Sequence, residues 1–234
     1  MESLWTYGCS FTAGDGLLDN IKEECPNPGK HKHWVDYLSK IYQPTYTFNK
    51  GVGGIGNNLI FLRLLNDLTK FKPGDLIIVG QTWTEREEVH IKELTPNVVD
   101  SRFPHEWLYK YILPLGGHSP MFDDKKLPED FKEEIFPRDP RDIYSSYYNF
   151  IMNGKAPLHR YYDAYYRTKF ELLFKYLNKI GVDTYLFNTP LLASKYETIT
   201  EATKGKVQDD HWSWKGSEKF GKWLVSQIKN IELL

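Results

Sequence analysis

The chain has 234 residues, and its 30 basic and 31 acidic side chains leave a formal net charge of -1. This length suits one α/β domain, and the lack of a basic stripe along the sequence argues against electrostatic capture of nucleic acid or of an anionic membrane. Its two cysteines, Cys9 and Cys25, are too few for a disulfide framework or a four-cysteine zinc site.

The N-terminal third of the chain predicts an alternation of strands and helices. Short apolar runs at 4–7, 45–48 and 76–79 predict strands, and the last run is purely aliphatic, as central parallel strands are. Between them, apolar residues recur at helical spacing and predict two helices. The first helix carries Trp34, Leu38, Ile41 and Tyr42, and the second carries Ile60, Leu64, Leu68 and Phe71.

The same alternation returns near the C-terminal end. A predicted helix ends at Gly181 and is followed by a predicted strand at 182–187, and Ser217 is the predicted N-cap of a final helix. We therefore predict a single flavodoxin-like α/β/α domain over 1–234, with a parallel sheet between two helical layers. The inward residues of the two helices are Phe170, Leu173, Phe174, Leu177 and Ile180, then Phe220, Trp223, Leu224 and Ile228.

A long stretch at about 81–157, rich in proline, aromatic and charged residues, interrupts the alternation. We interpret it as an insertion at the ligand-binding edge of the sheet. The tyrosines within and just after it suit either a sugar-stacking surface or a helical core. Because Tyr161, Tyr165 and Phe170 lie near helical spacing, we predict that they are core.

Glycine-rich or polar segments follow three of the predicted strands, at 8–14, 51–56 and 80–82. In a parallel sheet these segments lie along one edge, so their polar groups can form a single site. Ser10 and Cys9 point to opposite sides of an extended segment, which favours Ser10 as a nucleophile and Cys9 as a small packed residue.

A base for that nucleophile is present in the segment QDDHWSWKG. Asp209 precedes His211 by two residues, and in an extended segment both side chains point the same way, so the carboxylate can orient the imidazole. Ser10, His211 and Asp209 then form a catalytic set of nucleophile, base and orienting acid.

These residues resemble the SGNH, or GDSL-like, hydrolases. The similar blocks are Gly8-x-Ser10-x-x-x-Gly14, Asn49-x-Gly51-x-x-Gly54 and the Asp/His segment before the last predicted helix, so the middle of the chain is not covered. The resemblance implies a serine esterase without metal or cofactor, in which the N–H groups of Ser10 and Gly54 form the oxyanion hole. A glycine amide suits that role because no side chain blocks its approach to the substrate oxygen.

Two blocks depart from the pattern of that family. Its third block reads Gly-x-Asn-Asp, whereas here Thr82 stands in the Asn position, so Thr82, Gln81 or Thr84 is the expected side-chain donor to the oxyanion. Its fourth block has Asp three residues before His, a position that Gln208 holds here. The Asp-x-His spacing resembles the branch that transfers acetyl groups to and from polysaccharides.

We therefore expect a serine esterase that removes a small acyl group, such as acetyl, from a carbohydrate or a similar ester. The expected substrate-binding residues are Trp83, Thr84, Arg86 and Trp212. Two alternatives are an O-acyltransferase that acts on a sugar hydroxyl and a binding or structural protein that has lost the chemistry. The run 51–56 also satisfies G-x-G-x-x-G, but it follows the second strand and lacks the acidic residue of a dinucleotide site.

The remaining expectations concern partners and location. We expect no metal, because the histidines show no metal-ligand spacing apart from His31-x-His33 on a hydrophilic loop. The sequence shows no signal peptide and no apolar run that could cross a membrane, so a soluble cytoplasmic protein is expected. The sequence does not indicate an oligomeric state.

Overall fold

The computed structural model describes residues 1–14, 33–84, 87–90, 112–115, 156–206 and 208–232. Strands β1 to β6 are Ser3–Tyr7, Tyr46–Asn49, Leu76–Gln81, Glu87–His90, Ile112–Leu115 and Asp183–Asn188. Helices α1 to α7 are Ser10–Ala13, Trp34–Tyr42, Asn57–Asn66, Ala156–Lys179, Thr189–Ala193, Ile199–Ala202 and Trp214–Glu232. A short 3₁₀ helix, Leu68–Lys70, follows α3.

Four strands form a parallel sheet in the order β2-β1-β3-β6. Tyr7 on β1 lies beside Val79 on β3, and Gln81 at the end of β3 lies beside Asn188 at the end of β6. With β6 as the fourth strand, this is the strand order of a flavodoxin-like sheet, whose crevice lies outside the carboxyl ends of β1 and β3. The predicted α/β class with a parallel sheet is confirmed.

Helices cover both faces of the sheet, because neighbouring residues of each strand point to opposite faces. Trp5 and Ile77 pack on the face covered by α3 and α4, whereas Leu4 and Ile78 pack on the face covered by α2 and α7. Burial on both faces explains why the run 76–79 is aliphatic throughout. The first core includes Ile60, Leu64, Phe170, Phe174 and Leu177, and the second includes Trp34, Leu38, Phe220, Leu224 and Ile228.

Most of the predicted insertion at 81–157 lies outside the described residues. Within this range, β4 and β5 pair antiparallel, and α4 begins at Ala156. The insertion and the single-domain organisation over 1–234 therefore stay predictions. In the described part of the chain, no helix is both long enough and apolar enough to cross a membrane.

Ser213, rather than the predicted Ser217, caps α7. The helix begins at Trp214, and the N–H of Gly216 donates to Ser213 Oγ at 3.1 Å. Ser217 lies one turn further on, and its Oγ accepts the N–H of Trp34, the first residue of α2, at 2.9 Å. Because the first N–H groups of a helix have no acceptor within it, Ser217 satisfies such a group of the neighbouring helix.

The tyrosines of α4 also differ from the prediction. Tyr161 and Tyr165 are 63% and 45% exposed, so the prediction that they are core is wrong, although Phe170 is buried as expected. Tyr162 and Tyr166 face the first core instead. The helical spacing is right, but a helix that covers a sheet buries only one stripe, and the tyrosines at 161 and 165 lie outside it.

Candidate active site

Ser10 lies three residues after the end of the central strand β1 and begins α1. Cys9, the residue before the helix, is buried in the second core, which confirms that it is packed. The segment predicted as a loop therefore contains one helical turn, which ends where the N–H of Gly14 donates to the carbonyl of Ser10. As the first residue of this helix, Ser10 has no acceptor for its N–H within the turn.

Asn49 joins the second glycine block to the turn that carries Ser10. Its Nδ2 donates to the carbonyl of Thr12 at 2.7 Å, and its Oδ1 accepts from Thr6 Oγ1 at 3.2 Å and from the N–H of Gly51 at 3.0 Å. A Cβ on Gly51 would lie 2.3 Å from the backbone nitrogen of Ala13, so only glycine allows this approach. The two blocks form one packed unit.

Asp209 orients His211 by two hydrogen bonds. Asp209 Oδ1 lies 2.6 Å from His211 Nδ1 and also accepts the backbone N–H of His211 at 2.9 Å. The segment is held by α6, because the N–H of Ile199 donates to the carbonyl of His211, and both the N–H and Oγ1 of Thr200 donate to the carbonyl of Asp209. With Nδ1 engaged, Nε2 is the ring nitrogen left for chemistry.

The nucleophile and base candidates line the same small, open crevice. The Phe11 ring packs against the rings of His211 and Trp212, each with a centroid separation of 4.9 Å. Trp212 is 3% exposed and donates its Nε1–H to the carbonyl of Ala193, so most of its surface is core. The residues that line the crevice are Ser10, Phe11, Gly14, His33, His211, Trp212 and Ser217.

His33 is a second histidine in this crevice, but its geometry does not suit a base. Its Nε2 lies 2.8 Å from the carbonyl of Phe11, so this nitrogen carries the hydrogen, while Nδ1 accepts the N–H of Val35 at 3.4 Å. Burial lowers the pKa of His33 to about 4, against the opposing effect of the hydrogen bond to the Phe11 carbonyl. His33 is therefore neutral at pH 7, with both ring nitrogens engaged.

Two predicted oxyanion donors, Gly54 and Thr82, lie outside the lining of this crevice. Gly54 has a φ of 76°, a left-handed conformation that favours glycine. Thr82 is fully buried, and its backbone exchanges two hydrogen bonds with the Asn57 side chain, at 2.8 and 2.9 Å. Asn57 thus ties the start of α3 to the end of β3. The sequence offered no signal for this contact beyond a polar residue at a predicted helix start.

Gln81, another predicted donor, is engaged elsewhere. Its Nε2 donates to Asp163 Oδ1 at 2.9 Å and to the Asp163 carbonyl at 3.3 Å, which uses both of its amide hydrogens. Asn188 Nδ2 donates to the same Oδ1 at 3.0 Å. Asp163 on α4 is therefore bonded to the ends of both β3 and β6.

The remaining predicted substrate contacts follow Gln81 along the chain. The Trp83 ring lies 5.6 Å from the Phe11 ring, which places it next to one wall of the crevice. Thr84 is half-buried. Arg86 lies outside the described residues. The structure thus brings Trp83 near the site, and substrate contact by these three residues stays a prediction.

No protein-family model matches the chain, and no curated protein matches it. Among solved structures, the chain is similar to a candidate lipolytic protein of the G-D-S-L family from Desulfitobacterium hafniense DCB-2. The sequence identity is 13%, the TM-score is 0.35, and the alignment covers 97% of this chain and 99% of that chain. A TM-score of this size does not establish a shared fold, so the case for a function depends on the chain's own side chains.

Proposed function

We propose that the chain is a serine esterase that removes a small acyl group, such as acetyl, from a carbohydrate or a similar ester. One observation carries this proposal. Ser10, at the start of a helical turn after the central strand, lines the same crevice as His211, whose Nδ1 is held by Asp209 at 2.6 Å. A nucleophile, a base and an orienting carboxylate at the carboxyl edge of a parallel sheet are the parts that acyl transfer needs.

In the proposed reaction, Ser10 Oγ attacks the ester carbonyl while His211 Nε2 takes its proton. The N–H of Ser10 and the hydroxyl of Thr84, together with the N–H of Gly54 as the resemblance implies, stabilise the oxyanion, each such donor being worth about 3 kcal/mol. Thr82 is left out of this role, because it is fully buried. The imidazolium gives its proton to the departing alcohol, which leaves the acyl group on Ser10. Water, activated by His211, then releases the acid and restores the serine.

The crevice favours a small acyl group, because aromatic rings fill its walls. Phe11 and Trp212 pack against each other there, and the Trp83 ring lies 5.6 Å from the Phe11 ring. We propose that Trp83, Thr84 and Trp212 contact the alcohol part of the substrate, together with Arg86, which lies outside the described residues. Aromatic rings next to an ester site suit the apolar faces of a sugar.

Labelling with a fluorophosphonate, followed by mapping of the modified residue by mass spectrometry, tests the nucleophile. We expect the label on Ser10, and we expect Ser10→Ala and His211→Ala to lower the turnover of p-nitrophenyl acetate by a factor of about 10³ or more. Ser39→Ala is a matched control, because its exposed hydroxyl bonds only to Thr47 among the contacts described for it. A label on another residue, or equal turnover in wild type and both variants, contradicts the proposal.

A second candidate is an O-acyltransferase, in which a sugar hydroxyl replaces the attacking water. The close Asp209–His211 pair favours it, since the Asp-x-His spacing resembles an acetyl-transferring branch. Incubation with an acyl donor and a sugar separates the two, because a transferase yields acylated sugar and an esterase yields free acid. A folded protein that neither labels nor turns over would instead support a binding or structural role.

A further inference from the structure

The turn that carries Ser10 is too short to hold its own orientation. Helix α1 has four residues, whereas isolated helices need about 12 or more residues to be even marginally stable in water. The last carbonyl groups of the turn accept no hydrogen bond within it, because no helical N–H follows them. The direction of the Ser10 hydroxyl therefore depends on what the rest of the fold bonds to this turn.

The carbonyl of Phe11, next to Ser10, receives two hydrogen bonds from neighbouring residues of one helix start. His33 Nε2–H donates at 2.8 Å and Trp34 Nε1–H donates at 2.9 Å, so both lone pairs of the oxygen are used. On the other side of the turn, Asn49 holds the carbonyl of Thr12. The turn is thus held from two directions.

The two donors are themselves fixed in place. Trp34 is fully buried, its backbone N–H donates to Ser217 Oγ at 2.9 Å, and its ring meets Phe187 and Phe220 edge to face. His33 is held by the N–H of Val35 on its other ring nitrogen. Because these two donors cannot move with the Phe11 carbonyl, their hydrogen bonds hold it in one position.

From this geometry we infer that His33 and Trp34 are positioning residues, which fix α1 and so aim the Ser10 hydroxyl at the substrate. The inference rests on the proposed function, since it concerns the same nucleophile. Neither side chain moves a proton: the indole nitrogen has no acceptor capacity, and both nitrogens of His33 are engaged. A displacement of about 1 Å at a reacting group can cost about 100-fold in rate, so the effect of losing a donor is measurable.

The test compares variants that remove one donor with a variant that keeps it. His33→Phe and Trp34→Phe keep a ring but lose the N–H, and we expect each to lower kcat about 10- to 100-fold with KM within about twofold of wild type. His33→Gln keeps an N–H donor and should recover most of that loss. The midpoint of the pH profile of kcat/KM should not move in any variant, because His211 remains the base.

Leu38→Val is the control for loss of stability alone, because Leu38 is fully buried in the same helix and has no side-chain hydrogen-bond donor. Its kcat should match wild type at temperatures where all variants are folded by circular dichroism. If His33→Phe does not fold, the kcat of Trp34→Phe is compared with that of His33→Gln instead. The inference is overturned if both Phe variants keep the wild-type kcat, or if His33→Gln and His33→Phe lose kcat equally. In either case, labelling at Ser10 would still support the proposed function. A wild type that neither labels at Ser10 nor turns over overturns both.

Discussion

Two histidines line the candidate active site, and the groups bonded to their ring nitrogens distinguish their roles. His211 gives Nδ1 to a carboxylate, Asp209, which leaves Nε2 towards the crevice and stabilises a positive ring. His33 faces a backbone carbonyl and a backbone N–H, neither of which stabilises a charged imidazole as a carboxylate does. His211 is therefore the proposed base, although both residues are histidines in one crevice.

The Asp209 carboxylate gives a prediction at this scale. Asp209→Asn should lower kcat/KM by a factor of about 10³ to 10⁴, because an amide stabilises neither the tautomer nor the charge of the imidazolium that forms as Ser10 attacks. The change in KM should be small, since the carboxylate lies behind the imidazole rather than against the substrate. The measurement is steady-state hydrolysis of p-nitrophenyl acetate.

Asp210→Asn is the control for this prediction, because Asp210 is the exposed neighbour and its substitution makes the same change in net charge. It should retain kcat/KM within about twofold. Equal losses in the two variants would mean that the charge of the segment matters rather than the bond to His211, and would contradict the assigned role of Asp209.

At the scale of single elements, sequence patterns predicted which segments are helices and strands better than where their ends lie. Apolar periodicity placed the helix at Trp34 and the strand at 76–79, because burial of one stripe or of two faces leaves a visible pattern. The one-turn helix α1 leaves no such pattern, since its four residues span only about one helical period of about 3.6 residues and no repeat is visible. The start of α7 was misplaced at Ser217 for a different reason. A serine side chain at either position can cap a helix, and only the packed structure shows that Ser213 does so.

Substitutions at these two serines test the helix start. Ser213→Ala should cost about 1 kcal/mol of unfolding free energy through loss of the α7 cap, with a further loss because Ser213 Oγ also donates to Glu197 at 2.6 Å. Ser217→Ala should cost about 1 to 3 kcal/mol, because it leaves the buried Trp34 N–H without its acceptor. Urea unfolding monitored by circular dichroism measures both.

Ser226→Ala serves as the control on the same helix, since its exposed hydroxyl bonds to the carbonyl of Trp223. Its effect should stay within about 0.5 kcal/mol. A Ser213→Ala variant as stable as this control would mean that Ser213 does not cap α7.

At the scale of the whole molecule, the site follows from the topology of the sheet. The strand order reverses between β1 and β3, and Ser10 lies just beyond the carboxyl end of β1, where such sheets bind their ligands. That location was predictable from the order of elements in the sequence. The contacts that hold the neighbouring segments, from Asn57 to Thr82 and from His33 to Phe11, join residues far apart in the chain, so no local pattern indicates them.

The burial of His33 makes one contribution to the pH dependence of global stability. The pKa of His33 is about 4 in the folded chain and about 6.5 when exposed to water, so between these values the unfolded chain binds the extra proton. The contribution of neutral His33 to stability is therefore complete above about pH 6.5 and is lost progressively as the pH falls towards 4. By pH 5 the loss amounts to up to about 2 kcal/mol relative to pH 7.5.

Glutamine at position 33 does not titrate, so His33→Gln should remove this part of the pH dependence. Urea unfolding at pH 7.5 and pH 5 should show wild type losing up to about 2 kcal/mol more than His33→Gln between the two pH values. Leu38→Val, which lowers stability without changing a titratable group, should keep the wild-type difference. If wild type and His33→Gln lose the same unfolding free energy between pH 7.5 and pH 5, His33 is protonated as easily in the folded chain as in water. Its burial would then not keep it neutral.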